Sequence, residues 1–114
     1  MTMTTVVGET EQIVLDKPFV GGRDYQTIDS RVTAALRAGR PVRIDLTKAS
    51  KGVQTEFYGA LWQSVIGVFP EELQISKAKE LIALVFENPA SAAYVRFKSL
   101  FYGVFDAEFQ KSYA

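Results

Sequence analysis

An α/β domain is the fold class this chain predicts, and three observations predict it. Short β-branched or apolar runs alternate with segments of helical periodicity, Gly and Pro punctuate the junctions, and two connections have the order strand–helix–strand. Such connections join parallel strands through right-handed crossovers. The expected architecture is a small single domain over residues 1–114, a mixed sheet of about four strands with three main helices packed against it, mainly on one face.

Each element has its own signal. Residues 1–4 read as a flexible lead-in. Thr5-Val6-Val7 and Gln12-Ile13-Val14-Leu15 read as two strands joined by a turn at Gly8 and Glu9. Lys17-Pro18 ends the second, because proline cannot donate to a sheet ladder. After the Gly21-Gly22-Arg23 loop, Asp24 is expected to cap a helix of about 15 residues, on which Tyr25, Ile28, Val32, Ala35 and Leu36 share a face. Gly39 offers the left-handed C-terminal residue and Pro41 the stop.

Val42-Arg43-Ile44-Asp45-Leu46 reads as a buried strand, Thr47–Gln54 as a polar loop, and Thr55–Phe69 as the central helix. The segment 73–80 fits either a strand fragment or a helix. Leu81–Phe86 is a continuous apolar run of the interior-strand kind. Asn88-Pro89 ends it, Ser91 caps a last helix through Phe105, and residues 107–114 are expected to form a flexible tail.

Composition narrows the chemistry. The 114 residues are 47% hydrophobic and 23% charged, as in a folded globular chain. Thirteen basic and thirteen acidic residues cancel, so no net positive field points to nucleic acid. The chain has no cysteine and no histidine, which removes disulfides, thiolate and imidazole catalysis, and the usual zinc ligands. No carboxylate cluster with metal-ligand spacing and no membrane-length apolar run appears, so the expectation is a cytoplasmic protein without metal or cofactor.

The central helix is unusual. It carries no charge after Glu56, whereas amphipathic helices ordinarily place charges on the solvent side. On a helical wheel Phe57, Tyr58, Leu61, Trp62, Val65, Ile66, Val68 and Phe69 fill about half the circumference. Gly59, Ala60, Gln63, Ser64 and Gly67 fill the rest, and all are small or uncharged. That second side is expected to meet a partner or a second copy, with Trp62 and Tyr58 as anchors at its margin.

The ordered set resembles a STAS domain, the fold of bacterial anti-sigma-factor antagonists, and most of all the small STAS-like domains of unassigned role. The likeness spans about residues 5–105. It rests on Val42-Arg43-Ile44-Asp45-Leu46-Thr47 for the strand ending in Asp-Leu-Ser, and on the loop length that brings Thr55 onto the family's phosphorylatable position. Phe57-Tyr58-Gly59-Ala60-Leu61 corresponds to the helix that follows, and Leu84-Val85-Phe86-Glu87-Asn88-Pro89 to the strand running into Asn-Pro. Where the family has Asp-Ser-Ser-Gly, this chain has Val53-Gln54-Thr55-Glu56. Thr55 is therefore expected to act as a helix cap, with Glu56 supplying a fixed charge in place of a switchable phosphate, and phosphorylation of Thr55 itself is the alternative.

Together these readings imply a non-enzymatic regulatory or interaction module. Its partner-binding residues are expected to be Asp45, Thr47, Ser50, Lys51, Thr55, Glu56, Tyr58, Gly59, Trp62 and Gln63. The resemblance implies an anti-sigma-type kinase or a related regulator as partner, with a homodimer as the other possibility. Two alternatives stand beside it. One is a small-molecule or nucleotide sensor using Gly21–Asp24, Asp45–Ser50 and Asn88, and the other is a phage or mobile-element protein that blocks a host factor.

Overall fold

The computed structural model describes residues 9–110. In chain order its elements are β1 (Glu11–Val14), β2 (Phe19–Val20), α1 (Gly22–Gln26), α2 (Asp29–Arg37), β3 (Val42–Asp45), β4 (Gly52–Val53), α3 (Thr55–Val68), α4 (Gln74–Leu81), β5 (Ile82–Phe86), α5 (Ala92–Phe101) and β6 (Asp106–Phe109). A single 3-10 turn, Glu71–Leu73, leads into α4. The expected strand at Thr5–Val7 lies outside the described residues.

The main sheet has the order β1-β3-β5-β6, and every pairing in it is parallel. The sequence predicts a mixed sheet from a hairpin whose first half is not among the described residues. What remains is joined by helical crossovers, which return each strand to the same end of the sheet. A second, two-stranded parallel sheet pairs β2 with β4.

Alternation along the strands separates two faces. Ile13, Val42, Ile44, Ile82, Leu84 and Phe86 point into the main core. Their neighbours Gln12, Val14, Arg43 and Glu108 are exposed or half-buried. On that outer side Arg43 reaches across β5 to Glu108, with Nη2 to Oε1 at 2.9 Å. Helix α3 completes the core with Phe57, Tyr58, Leu61 and Val65, each fully buried. Burial of side chains this size stabilises by about 1.5–3 kcal/mol apiece.

Several boundaries differ from the sequence reading. The long helix after Gly22 is broken at Thr27–Ile28, because the Thr27 amide and hydroxyl both bond the Asp24 carbonyl, at 3.2 and 2.7 Å. Asp24 is not the cap. It sits one turn inside α1, where its carboxylate accepts the Gly21 amide at 2.7 Å. The last helix stops at Phe101 and not at Phe105, and Gly103 turns the chain with a φ of +86°.

Of the expected tail, residues 107–109 belong to strand β6, and residues 111–114 lie outside the described residues. β6 pairs with β5, and the Gln110 amide donates to the Phe86 carbonyl at 2.9 Å. Its inward residue Phe109 packs edge-on against Tyr94 at 4.9 Å. With residues 74–81 helical, the described chain has five helices in place of three. Two signals hold as read: Gly39 is left-handed at a φ of +72°, and the Ser91 hydroxyl accepts the Tyr94 amide at 3.3 Å.

Candidate functional site

The loop between β3 and α3 is firmly held. Asp45 Oδ1 accepts both the Thr47 amide at 2.8 Å and the Thr47 hydroxyl at 2.6 Å, closing a turn at the strand end. Leu46 and Ala49 are buried beneath it. The Lys51 amide donates to the Pro18 carbonyl and the Gln54 amide to Val20, at 2.7 and 2.8 Å, on either side of the short β2–β4 pairing. Lys48, Ser50 and Lys51 are left exposed on its outer edge.

Helix α3 begins beside two glycines. Gln54, not Thr55, is the N-cap residue, and its side chain is turned away to accept the Gly22 amide at 3.1 Å. A Cβ on Gly21 would lie 2.5 Å from Gln54 Oε1, and one on Gly22 would lie 3.0 Å from Glu56 Cβ. The glycine pair therefore permits a close approach of α1 to α3. Its amides are already bonded, Gly21 to Asp24 and Gly22 to Gln54, which leaves them unavailable to a phosphate. Asn88 likewise spends its side-chain oxygen on the Ala90 amide. The Gly21 and Gly22 amides, the Asp45 carboxylate and the Asn88 side-chain oxygen of the expected sensor pocket are thus each bonded within the protein.

Thr55 is the first helical residue, and the expectation that it caps the helix does not hold. It is exposed, and α3 has no side-chain capping bond. It lines a cleft of about 300 Å³ together with Phe19, Gln54, Glu56, Ala92 and Arg96. Glu56 sits at the electropositive end of the helix, as its position predicted.

Along α3 the expected binding residues part company. Tyr58 is fully buried and donates its hydroxyl to the Ala93 carbonyl at 3.0 Å, so it cannot be a surface anchor. Burial pushes its phenol well above the ordinary range. Trp62 is half-buried, edge-on to Phe105 at 6.3 Å. Gln63 is exposed, and a Cβ added at Gly59 or Gly67 would meet nothing within 4 Å. Ile66 is 41% exposed rather than core.

The other flank of α3 holds a site that sequence reading missed. A groove of about 430 Å³ runs between α1–α2 and α3, lined by Tyr25, Asp29, Thr33, Arg37, Ala60, Gln63, Ser64 and Gly67 among others. The Ser64 hydroxyl donates to Asp29 Oδ1 at 3.0 Å, so the Tyr25 phenol donates to Ser64 at 2.6 Å. Burial pushes the Tyr25 phenol up to about 12. The only hint in the sequence was a serine set among the apolar residues of α3.

No family model, curated protein or solved structure matches the chain. Among the described residues, no helix is long and apolar enough to cross a membrane.

Proposed function

We propose that this chain is a non-enzymatic regulatory module of the STAS-like type, binding a protein partner through the start and outer face of α3 and the Thr47–Gln54 loop. The observation that carries this reading is the outer surface of α3. From Gly59 to Gly67 it exposes Gln63, Ile66 and Gly67 beside a half-buried Gly59 that has room for a side chain, and it carries no charge. Such a surface repels nothing and lets another backbone approach closely. The rigid, exposed edge at Ser50, Lys51, Thr55 and Glu56 supplies polar contacts beside it.

By resemblance, the partner class is an anti-sigma-type kinase or related regulator. Glu56 serves as a permanent charge where that family uses a phosphate, and a stoichiometric phosphothreonine at Thr55 in protein from its native host would overturn that role. The binding face is tested with Gly59→Arg and Gly67→Glu. Both positions have room for a side chain, so both variants are expected to melt cooperatively and to lose association. Association unchanged in both variants overturns the reading.

A further inference from the structure

The groove between α2 and α3 points to what occupies the neighbouring face, and this inference rests on the reading of α3 as a binding surface. Its floor offers little to a small ligand. The Tyr25 proton goes to Ser64 and the Ser64 proton to Asp29. The rest of the lining is Gln26, Thr33, Arg37, Ala60, Gln63 and Gly67, none of them buried. Recognition of a small molecule needs convergent polar groups with bonding capacity left over, and the buried ones here have spent theirs on each other.

The charged groups of the lining, Asp29 and Arg37, are the ones left without a counter-charge among the described residues. Asp29 accepts from Ser64 and, at 3.4 Å, from Thr33, but it has no cation partner among the described residues. Arg37 likewise has no carboxylate partner there. The two stand at opposite ends of α2, roughly 12 Å apart along the axis at 1.5 Å per residue. Thr33 lies midway and the α3 wall between them is uncharged.

A strongly acidic or basic partner would satisfy one end and be repelled at the other. A surface with one acid and one base about a neutral centre is complementary to itself after a half-turn. We propose that a second copy of this chain docks along the groove, α2 antiparallel to α2, with Asp29 of each copy facing Arg37 of the other. The two-fold axis passes near Thr33. Ala60 and Gly67 allow the close approach, and Ile66 and Gln63 border the contact.

Solution mass by light scattering across a concentration series tests the pairing on the full chain. Wild type is expected to dimerise, and Arg37→Asp, which places two acids at each contact, is expected to raise the dissociation constant roughly tenfold or more. Asp29→Lys should do the same, and a mixture of the two variants should form a mixed dimer, because each supplies the charge the other lacks. Should Asp29→Lys fail to fold, wild type against Arg37→Asp still decides.

A wild-type monomer at every concentration, or a dimer indifferent to Arg37→Asp, overturns the pairing. A monomer leaves the wider reading standing for a different protein. That reading falls separately, if a captured partner is retained by Gly59→Arg, a position outside the groove lining.

Discussion

The Tyr25 phenol and the Ser64 hydroxyl lie 2.6 Å apart, joining α1 to the middle of α3 across 39 residues of chain. Ser64 is the only buried polar residue among those described, at 8% exposure. Ser64→Ala therefore strands a buried phenol and is expected to cost about 1–3 kcal/mol in chemical denaturation. Tyr25→Phe in the same background should return most of that loss, since removing both partners is nearly neutral. A double variant as unstable as the sum of the singles would mean that packing, not the hydrogen bond, sets the cost.

The glycines divide into two groups of opposite sign. Gly59→Ala and Gly67→Ala meet open space and are expected to stabilise the monomer by about 0.5–1 kcal/mol each, the usual gain of alanine in a helix interior. Gly22→Ala presses on Glu56 Cβ, which is fixed to the backbone, and should destabilise. Gly21→Ala meets only the mobile end of Gln54, so its cost is that of the Gln54–Gly22 hydrogen bond, about 0.5–1.5 kcal/mol. Thermal melts of the four variants rank them.

Capping separates Thr55 from Ser91. Ser91→Ala removes a bonded cap and is expected to cost about 1 kcal/mol. Thr55→Ala removes a hydroxyl that caps nothing and should change stability by less than about 0.5 kcal/mol. Equal losses at both positions would show that Thr55 supports the helix after all.

Stability should fall at both ends of the pH scale. Arg31 and then Arg40 hold Glu11 below its ordinary 4.5, and Lys17 and the Gly21 amide hold Asp24 below 3.8. Depressed carboxylates contribute stability that is complete above those ordinary values and lost as pH falls through the lower folded ones. Tyr25, raised by burial to about 12 from 10, contributes stability that is complete below pH 10 and lost as pH rises toward 12. Denaturation midpoints should form a plateau between these limits, and Glu11→Gln should shallow the acid limb alone. An acid limb unchanged in that variant would remove Glu11 as a cause.

The elements legible in the sequence were those whose pattern was complete within a few residues. Ile44 sits in a strand that alternates apolar and polar residues, Leu84 sits in an uninterrupted apolar one, and Gly39 and Ser91 carry local signals that nothing nearby contests. The misread boundaries arose from competition. Phe97, Phe101 and Phe105 keep helical spacing, yet Phe105 already belongs with Ala107 and Phe109 in an alternating pattern. Thr27 breaks a well-patterned helix by a bond its side chain makes to the backbone. Within the binding face, the absence of charge on α3 was readable. Which of its residues face outward was not, because neighbouring helices decide that: Tyr58 turns under α5, while Ile66 is left outside.

The all-parallel main sheet has a kinetic consequence. Glu11 pairs with Val42, Val42 with Ile82, and Ala83 with Asp106, so among the described residues no two neighbouring strands of this sheet are joined by a hairpin that could form early. Every pairing must close a long loop before it gains anything, which places this chain among slow folders for its size. β6 is also the last of these strands to leave the ribosome. Until it does, the β5 edge and the aromatic residues beneath it stay uncovered, and this nascent intermediate is the stage at which aggregation competes most directly with folding.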